Sequence, residues 1–310
     1  MAQQPMPGIQ VTGRIVVAAA PSDPVKQVAV EAPAWGESAA AAIEQKSSFD
    51  HAATVNGALP NFVRSNPRPV APFPIVLNHT VRRYVEDMLA HPGGLDEAFA
   101  RSRPYFTQMV RVLEQNGLPP DLVYLSFAES CFTSDGAGPW QLSKATARRF
   151  GLVVNNTVDE RRDPIKSTRA AAEYLATLHD ETDDWHIALI GWNKGETVLD
   201  RFLGLRGIDY NRLLAQLPRT TSALMNRFMA VAVIAHHARD YGLQAITFTM
   251  PPSYRMVRVA PGTSLRTIAT QQGTSVDRLR ELNPALLRDR VPQRTAGFDV
   301  RVPVATKAAL

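Results

Sequence analysis

A single glutamate stands among apolar neighbours in the segment DLVYLSFAES, which begins at Asp121. The residues around Glu129 include Leu125, Phe127 and Phe132. A carboxyl group in apolar surroundings can hold its proton near neutral pH and then donate it as a general acid. The alternative is an ordinary helix-end carboxylate, since glutamate is usually a surface residue. Taken alone, Glu129 fits this ordinary role better, and its apolar neighbours make it only a candidate for acid–base chemistry.

Two side-chain amides occur in short motifs further along the chain. Gln141 lies in GPWQL and Asn193 lies in GWNKG. Each amide could line a polar cleft, or it could simply cap a helix or pack in the core.

The composition argues against a metal or cofactor site. Cys131 is the one cysteine of the chain, which excludes an internal disulfide and a cysteine-rich zinc site. The seven histidines show no metal-ligand spacing. His236 and His237 are adjacent, so on a helix they would point about 100° apart. We expect no metal and no cofactor.

The net charge of +5 and the isoelectric point near 9.5 suit an anionic partner. The basic residues are dispersed in pairs such as Arg148 and Arg149, and no nucleic-acid-binding motif occurs, so we expect no nucleic acid partner. No apolar run has the length of a transmembrane helix. The run Ile15 to Ala20 follows Arg14 and could be the remnant of an export signal, but it is too short to assign as one.

Helix signals dominate the middle of the chain. Residues 1–70 are rich in Pro, Ala, Gln and Ser and are expected to form an extended or disordered leader. From Ile75 onward, helix follows helix without a strand pattern, which predicts an all-α domain over 71–248. Helices are expected to start at Asn78, Asp96, Asp121, Asp163 (before Pro164) and Asp183 or Asp184. Two further helices are expected over Trp140–Phe150 and Ser222–Tyr241.

The last sixty residues have a different pattern. Alternating residues over Tyr254–Val259 and Phe298–Val302 predict two strands, and two short helices are expected between them, at Leu265–Gln271 and Val276–Leu282. This predicts a small βααβ module over 249–306.

Two family resemblances cover about three quarters of the chain. The pieces LPPDLVYLSFAES, GPWQLSKATARRFGL, DERRDPIKSTRAAAEYLATL and WHIALIGWNKGE occur in family order and resemble the SLT (soluble lytic transglycosylase) family, in particular its membrane-bound lytic transglycosylase D group. The pieces VAPGTSLRTIATQQGTSVDRLRELNP and FDVRVP resemble a LysM module. The resemblance implies a mostly α fold, with a lysozyme-like domain followed by the LysM-like module.

The SLT resemblance assigns roles to the candidate residues. It makes Glu129 the sole catalytic acid/base, which cleaves the bond between N-acetylmuramic acid (MurNAc) and N-acetylglucosamine (GlcNAc) and closes a 1,6-anhydro ring. The substrate's own C6 hydroxyl is the nucleophile, so no second carboxylate is needed, unlike in hydrolases. Gln141 and Asn193 match residues that line the cleft. Trp140, Trp185 and Trp192 could stack on sugar rings, although half-buried core tryptophan is commoner.

The sequence departs from the family pattern near the site. Only Thr133–Ala137 remains of a longer loop that supports the cleft, and Ser134 within it is a candidate substrate contact. Trp192 stands where the family has a tyrosine whose hydroxyl holds the catalytic glutamate. We therefore expect Trp192 to lie near Glu129, and Trp192→Tyr to raise activity.

The charged residues Asp159, Arg161, Arg162 and Asp163 are expected to brace the domain. In the LysM-like module, Thr263, Ser264, Asn283 and Pro284 are expected near a shallow groove that binds GlcNAc. The alternative for Asn283 is a role in a turn only.

Three functions remain open from the sequence. The first is a peptidoglycan lytic transglycosylase in the bacterial cell envelope, placed in the periplasm because of its substrate. The second is a peptidoglycan-binding scaffold that has lost turnover. The third is a hydrolytic muramidase, in which Asp135 would have to activate water.

Overall fold

The computed structural model describes residues 15–17, 71–242, 253–293 and 297–304. Helices dominate the described residues, and two small two-stranded sheets accompany them. The expected mostly α fold class is confirmed. None of the helices in these ranges combines the length and the apolar character needed to cross a lipid bilayer.

The first unit is helical and begins with a short strand. Strand β2 (Ile75–Leu77) pairs in parallel with β1 (Ile15–Val17), which is the part of the expected leader that the structure describes. The rest of the 1–70 leader prediction lies outside the described residues. The α-helices are α1 (His79–Ala90), α2 (Pro92–Ser102), α3 (Phe106–Gln115), α4 (Leu125–Ser130), α5 (Lys144–Arg149), α6 (Pro164–Thr182), α7 (Trp185–Lys194), α8 (Tyr210–Ala215) and α9 (Arg219–His236). The 3₁₀ helices are Pro120–Tyr124, Glu160–Arg162, Glu196–Arg201 and Leu203–Leu205.

Several helices start at side-chain caps that the sequence predicts. Asn78 accepts a hydrogen bond from the amide of Val81 at 2.7 Å, which satisfies an amide that has no partner inside helix α1. Asp163 caps α6 ahead of Pro164, and Asp184 caps α7 in the same way. These three helix starts are confirmed.

A close approach of α7 to its neighbours sets the position of the residues that follow on this helix. Gly191 lies where a Cβ atom would come within 2.8 Å of Leu199 and 2.9 Å of Leu178. Those are side-chain methyl groups in the packed core, so any larger residue would push α7 outward. The glycine therefore lets Trp192, the next residue, enter the interior.

Four predicted helices have different bounds. The helix predicted to start at Asp121 is a 3₁₀ helix, Pro120–Tyr124, followed by α4 from Leu125. The segment predicted as a helix over Trp140–Phe150 becomes helical only at Lys144, because Gln141 has a left-handed backbone (φ +47°) and Ser143 is the N-cap. The segment predicted to start at Asp96 is two helices, α2 and α3. The last helix of this unit, α9, starts at Arg219 and ends at His236, before the predicted Ser222–Tyr241 end.

The second unit has the predicted βααβ order: β3 (Tyr254–Val259), α10 (Leu265–Gln272), α11 (Val276–Leu282) and β4 (Phe298–Pro303). The strands pair antiparallel, with Tyr254 opposite Pro303 and Val259 opposite Phe298. A separate small core lies between sheet and helices: Val259, Leu265, Ile268, Ala269, Leu279, Val291, Val300 and Val302. The boundary predicted at 248–249 lies outside the described residues and stays a prediction.

Candidate functional site

Glu129 lies in the last turn of α4, a helix in which every residue is buried. Its side chain is inside the protein, since the residue is 5% exposed. The two residues that follow Ser130, Cys131 and Phe132, both have left-handed backbones (φ +51° and +55°). Such conformations cost about 1–3 kcal/mol each for residues other than glycine. The chain therefore turns sharply, at an energetic cost, directly after the candidate acid.

Arg101, on α2, holds this turn. Its guanidinium donates to the carbonyl oxygens of Cys131 (2.8 Å) and Phe132 (3.3 Å). Hydrogen bonds from a charged donor are stronger than neutral ones, so they help to offset the backbone cost. Arg101 is not predictable as part of the site, because nothing near it in the sequence indicates a contact thirty residues away.

Trp192 makes a direct hydrogen bond to Glu129. The indole Nε1–H donates to Oε1 of the carboxyl group at 2.6 Å. The predicted proximity of these two residues is confirmed. The indole itself is 2% exposed and packs between Trp140 and Tyr174, whose rings lie 5.9 Å and 5.5 Å away. This packing leaves the indole little freedom to turn its N–H away from the carboxyl group.

Ser130 connects the end of α4 to residues 138–141, which we call the GPWQ loop. Its hydroxyl lies 2.9 Å from the carbonyl oxygen of Pro139 and 3.0 Å from that of Ser126. No sequence pattern predicts this contact, although Ser130 directly follows the candidate acid. Ser130 therefore connects the GPWQ loop to the residue next to Glu129, so the position of the loop affects the position of the candidate acid.

The GPWQ loop has a backbone that only certain residues allow. At Gly138 (φ +73°), a Cβ atom would lie 1.9 Å from the backbone oxygen of Arg161, which cannot move aside as a flexible side chain could. Gln141 is buried, and its side-chain amide donates to the carbonyl oxygen of Gly138 at 2.7 Å. The amide therefore closes the loop on itself and lies on the same loop that Ser130 anchors.

The charged segment after the loop braces it, as the sequence predicts. Arg161 and Asp159 form a buried ion pair with two hydrogen bonds, at 2.9 and 2.7 Å. A further guanidinium N–H of Arg161 donates to the carbonyl oxygen of Leu142 at 2.9 Å. Asp163 is buried and caps α6 through one carboxylate oxygen.

Asn193 and Ser134 lie at different depths beside this site. Asn193 is half-buried and accepts a hydrogen bond from the hydroxyl of Thr221 at 2.8 Å, which ties α7 to α9. Ser134 is exposed in the short loop between α4 and Gly138, and Asp135 beside it is exposed as well. Their roles in binding substrate stay predictions.

The predicted stacking of Trp140 and Trp192 on sugar rings is wrong in this structure. Trp140 is fully buried, and its indole N–H donates to the hydroxyl of Thr168 at 2.9 Å. A sugar needs an exposed ring face, which neither tryptophan offers. Both are core residues, and Trp192 contacts Glu129 through its N–H group.

Two titratable groups beside the site are poor candidates for chemistry at neutral pH. Burial raises the pKa of the Cys131 thiol to about 11, so the reactive thiolate is scarce. Burial also raises the pKa of Tyr174, whose hydroxyl lies 3.3 Å from the carbonyl oxygen of Gly191. Among the residues that the structure describes, no group of three or more His, Cys, Asp or Glu side chains could hold a metal ion.

The two segments between which the sequence predicts a groove in the second unit hydrogen-bond to each other. The amide of Leu265 donates to the oxygen of Asp289, and the amide of Val291 donates to the oxygen of Thr263. Ser264 is the N-cap of α10, and Pro284 is half-buried. Thr263, Ser264 and Pro284 as glycan contacts stay predictions.

Asn283 is a turn residue in this structure. Its side-chain amide donates to the carbonyl oxygens of Leu279 and Arg301, and its oxygen accepts from the amide of Arg301. The residue is buried, so the predicted contact with a glycan is replaced by the alternative that the sequence also allowed.

Comparisons with known proteins match both units. Residues 120–208 match the family described as "Transglycosylase SLT domain", and residues 253–310 match the family described as "Lytic transglycosylase MltD, LysM-like domain". Both matches agree with the resemblance found in the sequence, and the expected lysozyme-like domain followed by a LysM-like module is confirmed.

Individual relatives share between 25% and 36% sequence identity with the chain over the aligned residues. The chain is 25% identical over 216 residues to the membrane-bound lytic murein transglycosylase D of Escherichia coli (strain K12), over 66% of this chain and 48% of the relative. The protein of the same name from Escherichia coli O6:H1 matches equally. A putative tributyltin chloride resistance protein of Alteromonas sp. (strain M-1) is 36% identical over 125 residues, over 38% of this chain and 60% of the relative. The chain thus spans about half the length of the two transglycosylase D relatives.

Proposed function

We propose that this chain, which carries an SLT domain and an MltD-like LysM domain, is a lytic transglycosylase of bacterial peptidoglycan. It would cleave the β-1,4 bond between MurNAc and GlcNAc and leave a 1,6-anhydro-MurNAc end. The observation that supports this most directly is the placement of Glu129: a buried carboxyl group within the matched SLT segment, held at 2.6 Å by Trp192.

In this mechanism Glu129 acts twice. The protonated carboxyl group donates its proton to the glycosidic oxygen as the bond breaks. The resulting carboxylate then takes the proton from the C6 hydroxyl of MurNAc, whose oxygen attacks C1 and closes the anhydro ring. The proton count balances and Glu129 is restored, so no second acidic residue is required.

Trp192 is suited to orient the acid in both steps. An indole N–H donates but does not accept, so it can bind Oε1 whether the carboxyl group is neutral or ionised. Gln141 and Asn193 are proposed to bind the substrate from the neighbouring loop and helix, as the family resemblance implies.

The test is the identity of the products. Purified full-length chain is incubated with peptidoglycan, and the released muropeptides are identified by mass spectrometry. We expect anhydro-muropeptides from the parent chain and a rate lower by roughly 10²–10⁴ from Glu129→Gln, which is nearly isosteric but cannot deliver a proton. Glu173→Gln, at an exposed glutamate of α6, is the matched control and should retain the parent rate. Parent-rate release by Glu129→Gln would refute the assignment.

A second candidate is a peptidoglycan-binding scaffold without turnover. It is favoured by the low exposure of Glu129, because a glycosidic oxygen must reach this carboxyl group for catalysis. Binding to peptidoglycan without any released product would support the scaffold. Products with reducing ends would instead indicate hydrolysis, with Asp135 as the residue to test next.

The substrate also gives the proposed location and partners. Peptidoglycan glycan strands are the proposed partner, in the bacterial cell envelope and on the periplasmic side. No nucleic acid partner is proposed.

A further inference from the structure

The LysM-like module contacts the catalytic domain through its backbone. The amide of Asp159 donates to the carbonyl oxygen of Ala285 at 2.8 Å, and the amide of Leu287 donates to that of Thr157 at 3.0 Å. Val158 and Leu286 form an antiparallel bridge between these two bonds. We call this contact between 157–159 and 285–287 the seam. Backbone pairing of this kind fixes the relative position of two segments, which a flexible tether would not do.

A largely buried ion pair adds to the seam. The guanidinium of Arg301, on β4, binds the carboxylate oxygen Oδ2 of Asp163, while Oδ1 of the same carboxylate caps α6. The two side chains are 14% and 3% exposed. One carboxylate therefore serves both the start of a catalytic-domain helix and the docking of the module.

The seam residues belong to the segment that braces the GPWQ loop. Asp159 forms the buried pair with Arg161, and Arg161 donates to the oxygen of Leu142. The backbone oxygen of Arg161 also lies against Gly138 at the start of the loop. The loop in turn contacts Ser130, next to Glu129. A continuous set of contacts thus leads from the module to the candidate acid.

We propose that the LysM-like module is a positioning part of the catalytic site, held by the seam and by the Arg301–Asp163 pair. Arg301 is the positioning residue: it acts on turnover through the 157–163 segment and the GPWQ loop, without contacting substrate. This inference rests on the proposed transglycosylase activity. It differs from the usual expectation for a binding module, which would act only by raising the local concentration of substrate.

The loop between α11 and β4 is the part of the module that makes this docking possible. Residues 285–287 pair with the catalytic domain, and Asp289 and Val291 pair with the module's own first turn. Val291 is also part of the module's core. One loop therefore joins both units, and a shift of the module would pull directly on the seam.

The first experiment measures turnover of a soluble peptidoglycan fragment by the full chain and its variants. Arg301→Met keeps the aliphatic stem but removes the ion pair, and we expect kcat to fall about tenfold or more with KM within about twofold, since small misplacements near a reacting centre are costly. Arg301→Lys should recover part of the loss. The matched control is Arg258→Met, which removes an exposed ion pair with Asp299 inside the module. It should leave kcat unchanged.

The second experiment measures hydrogen exchange of the backbone amides, with no need for activity. In Arg301→Met, amides of 138–142 and 157–163 should exchange faster than in Arg258→Met. A parent-like kcat and parent-like exchange in Arg301→Met would overturn the inference, as would a loss confined to KM. If the parent chain releases no products, the proposed function fails, and the exchange measurement still decides whether the module holds the loop. If Arg301→Met melts before the assay temperature, Asp163→Asn, which keeps an oxygen for the cap, takes its place.

Discussion

Single residues control the orientation of the candidate acid in this protein. The carboxyl group of Glu129 accepts a hydrogen bond from the indole of Trp192. That indole packs between the rings of Trp140 and Tyr174. For this reason the position of α7 sets the orientation of the carboxyl group, which lacks the range of orientations open to a surface glutamate.

Trp192→Phe should lower kcat while leaving substrate binding almost unchanged. The phenyl ring keeps most of the packing but cannot donate a hydrogen bond, and bonds to charged groups contribute about 1.5–3 kcal/mol, or roughly 10–100-fold in rate. Steady-state kinetics on soluble fragments would measure this, with Trp185→Phe as a control at a half-buried tryptophan stacked on His179. Parent-like kcat in Trp192→Phe would mean that the bond has no role in turnover.

The sequence predicts that Trp192→Tyr raises activity, but the structure removes the reason for this prediction. Because the indole already makes the bond to Glu129, a smaller tyrosine would leave a cavity between Trp140 and Tyr174. We now expect the activity of Trp192→Tyr to lie between those of the parent and Trp192→Phe.

Gly138→Ala should disrupt the site far more than Gly136→Ala. Both glycines have positive φ values, +73° and +57°. A left-handed backbone therefore destabilises both alanine variants by about 1–2 kcal/mol. Only at Gly138 would the new methyl group meet backbone, 1.9 Å from the oxygen of Arg161, whereas nothing lies within 4 Å at Gly136. We expect a loss of activity of at least about tenfold in the first variant only. Equal losses in both would show that the contact with Arg161 does not matter.

At the scale of helices and strands, the sequence predicts what is decided locally. The caps Asn78, Asp163 and Asp184 each bond to amides two or three residues away, so their sequence neighbourhood contains the whole interaction. The first residues of the segment predicted as helix from Trp140 are not helical, because the left-handed backbone at Gln141 depends on a loop that packs against Arg161. Burial of Trp140 depends in the same way on distant residues.

His186, in the first turn of α7, should make the helical domain less stable in acid. Burial lowers the pKa of its imidazole, which packs on Phe73 and Tyr210 and lies 3.1 Å from the oxygen of Pro74. The unfolded chain therefore binds the proton first as the pH falls. The stability contributed by neutral His186 is complete above about pH 6.5 and is lost as the pH falls below this value.

The measurement is the free energy of unfolding in urea at several pH values. His186→Gln keeps a donor for Pro74 and cannot titrate, so its stability should fall less between pH 7.5 and pH 5 than that of the parent. Asp184, which caps α7, is the nearby acid and remains in both proteins. His79→Gln, at an exposed histidine of α1, should behave as the parent does. An identical pH dependence in His186→Gln would contradict the assignment.

At the scale of the whole molecule, the order of two units is predictable from the sequence, but the contact between them is not. The SLT-like and LysM-like motifs are sets of local patterns, and both are matched by known families. The seam consists of backbone groups, which all residues share, and it leaves no pattern of side chains to detect.

Removal of residues 251–310 should lower the melting temperature of the remaining helical domain. The truncation removes two backbone hydrogen bonds at the seam and the ion-pair partner of Asp163. At about 1 kcal/mol for each of these three interactions and about 2–4 °C per kcal/mol for a domain of this size, a decrease of roughly 6–12 °C is expected. Circular dichroism at 222 nm would measure it. An unchanged melting temperature would indicate a module that is merely tethered.

The loop from Ala285 to Gln293 has a consequence for protein engineering. Because the seam is made by main-chain atoms, its complementarity depends on the length and course of this loop rather than on which side chains it carries. Exchanging the module for a glycan-binding module with a shorter loop would preserve affinity for the polymer but leave the edge at Thr157–Asp159 without its neighbour. Interchangeable use of such modules in designed cell-wall enzymes therefore requires that the loop be transplanted together with the binding fold.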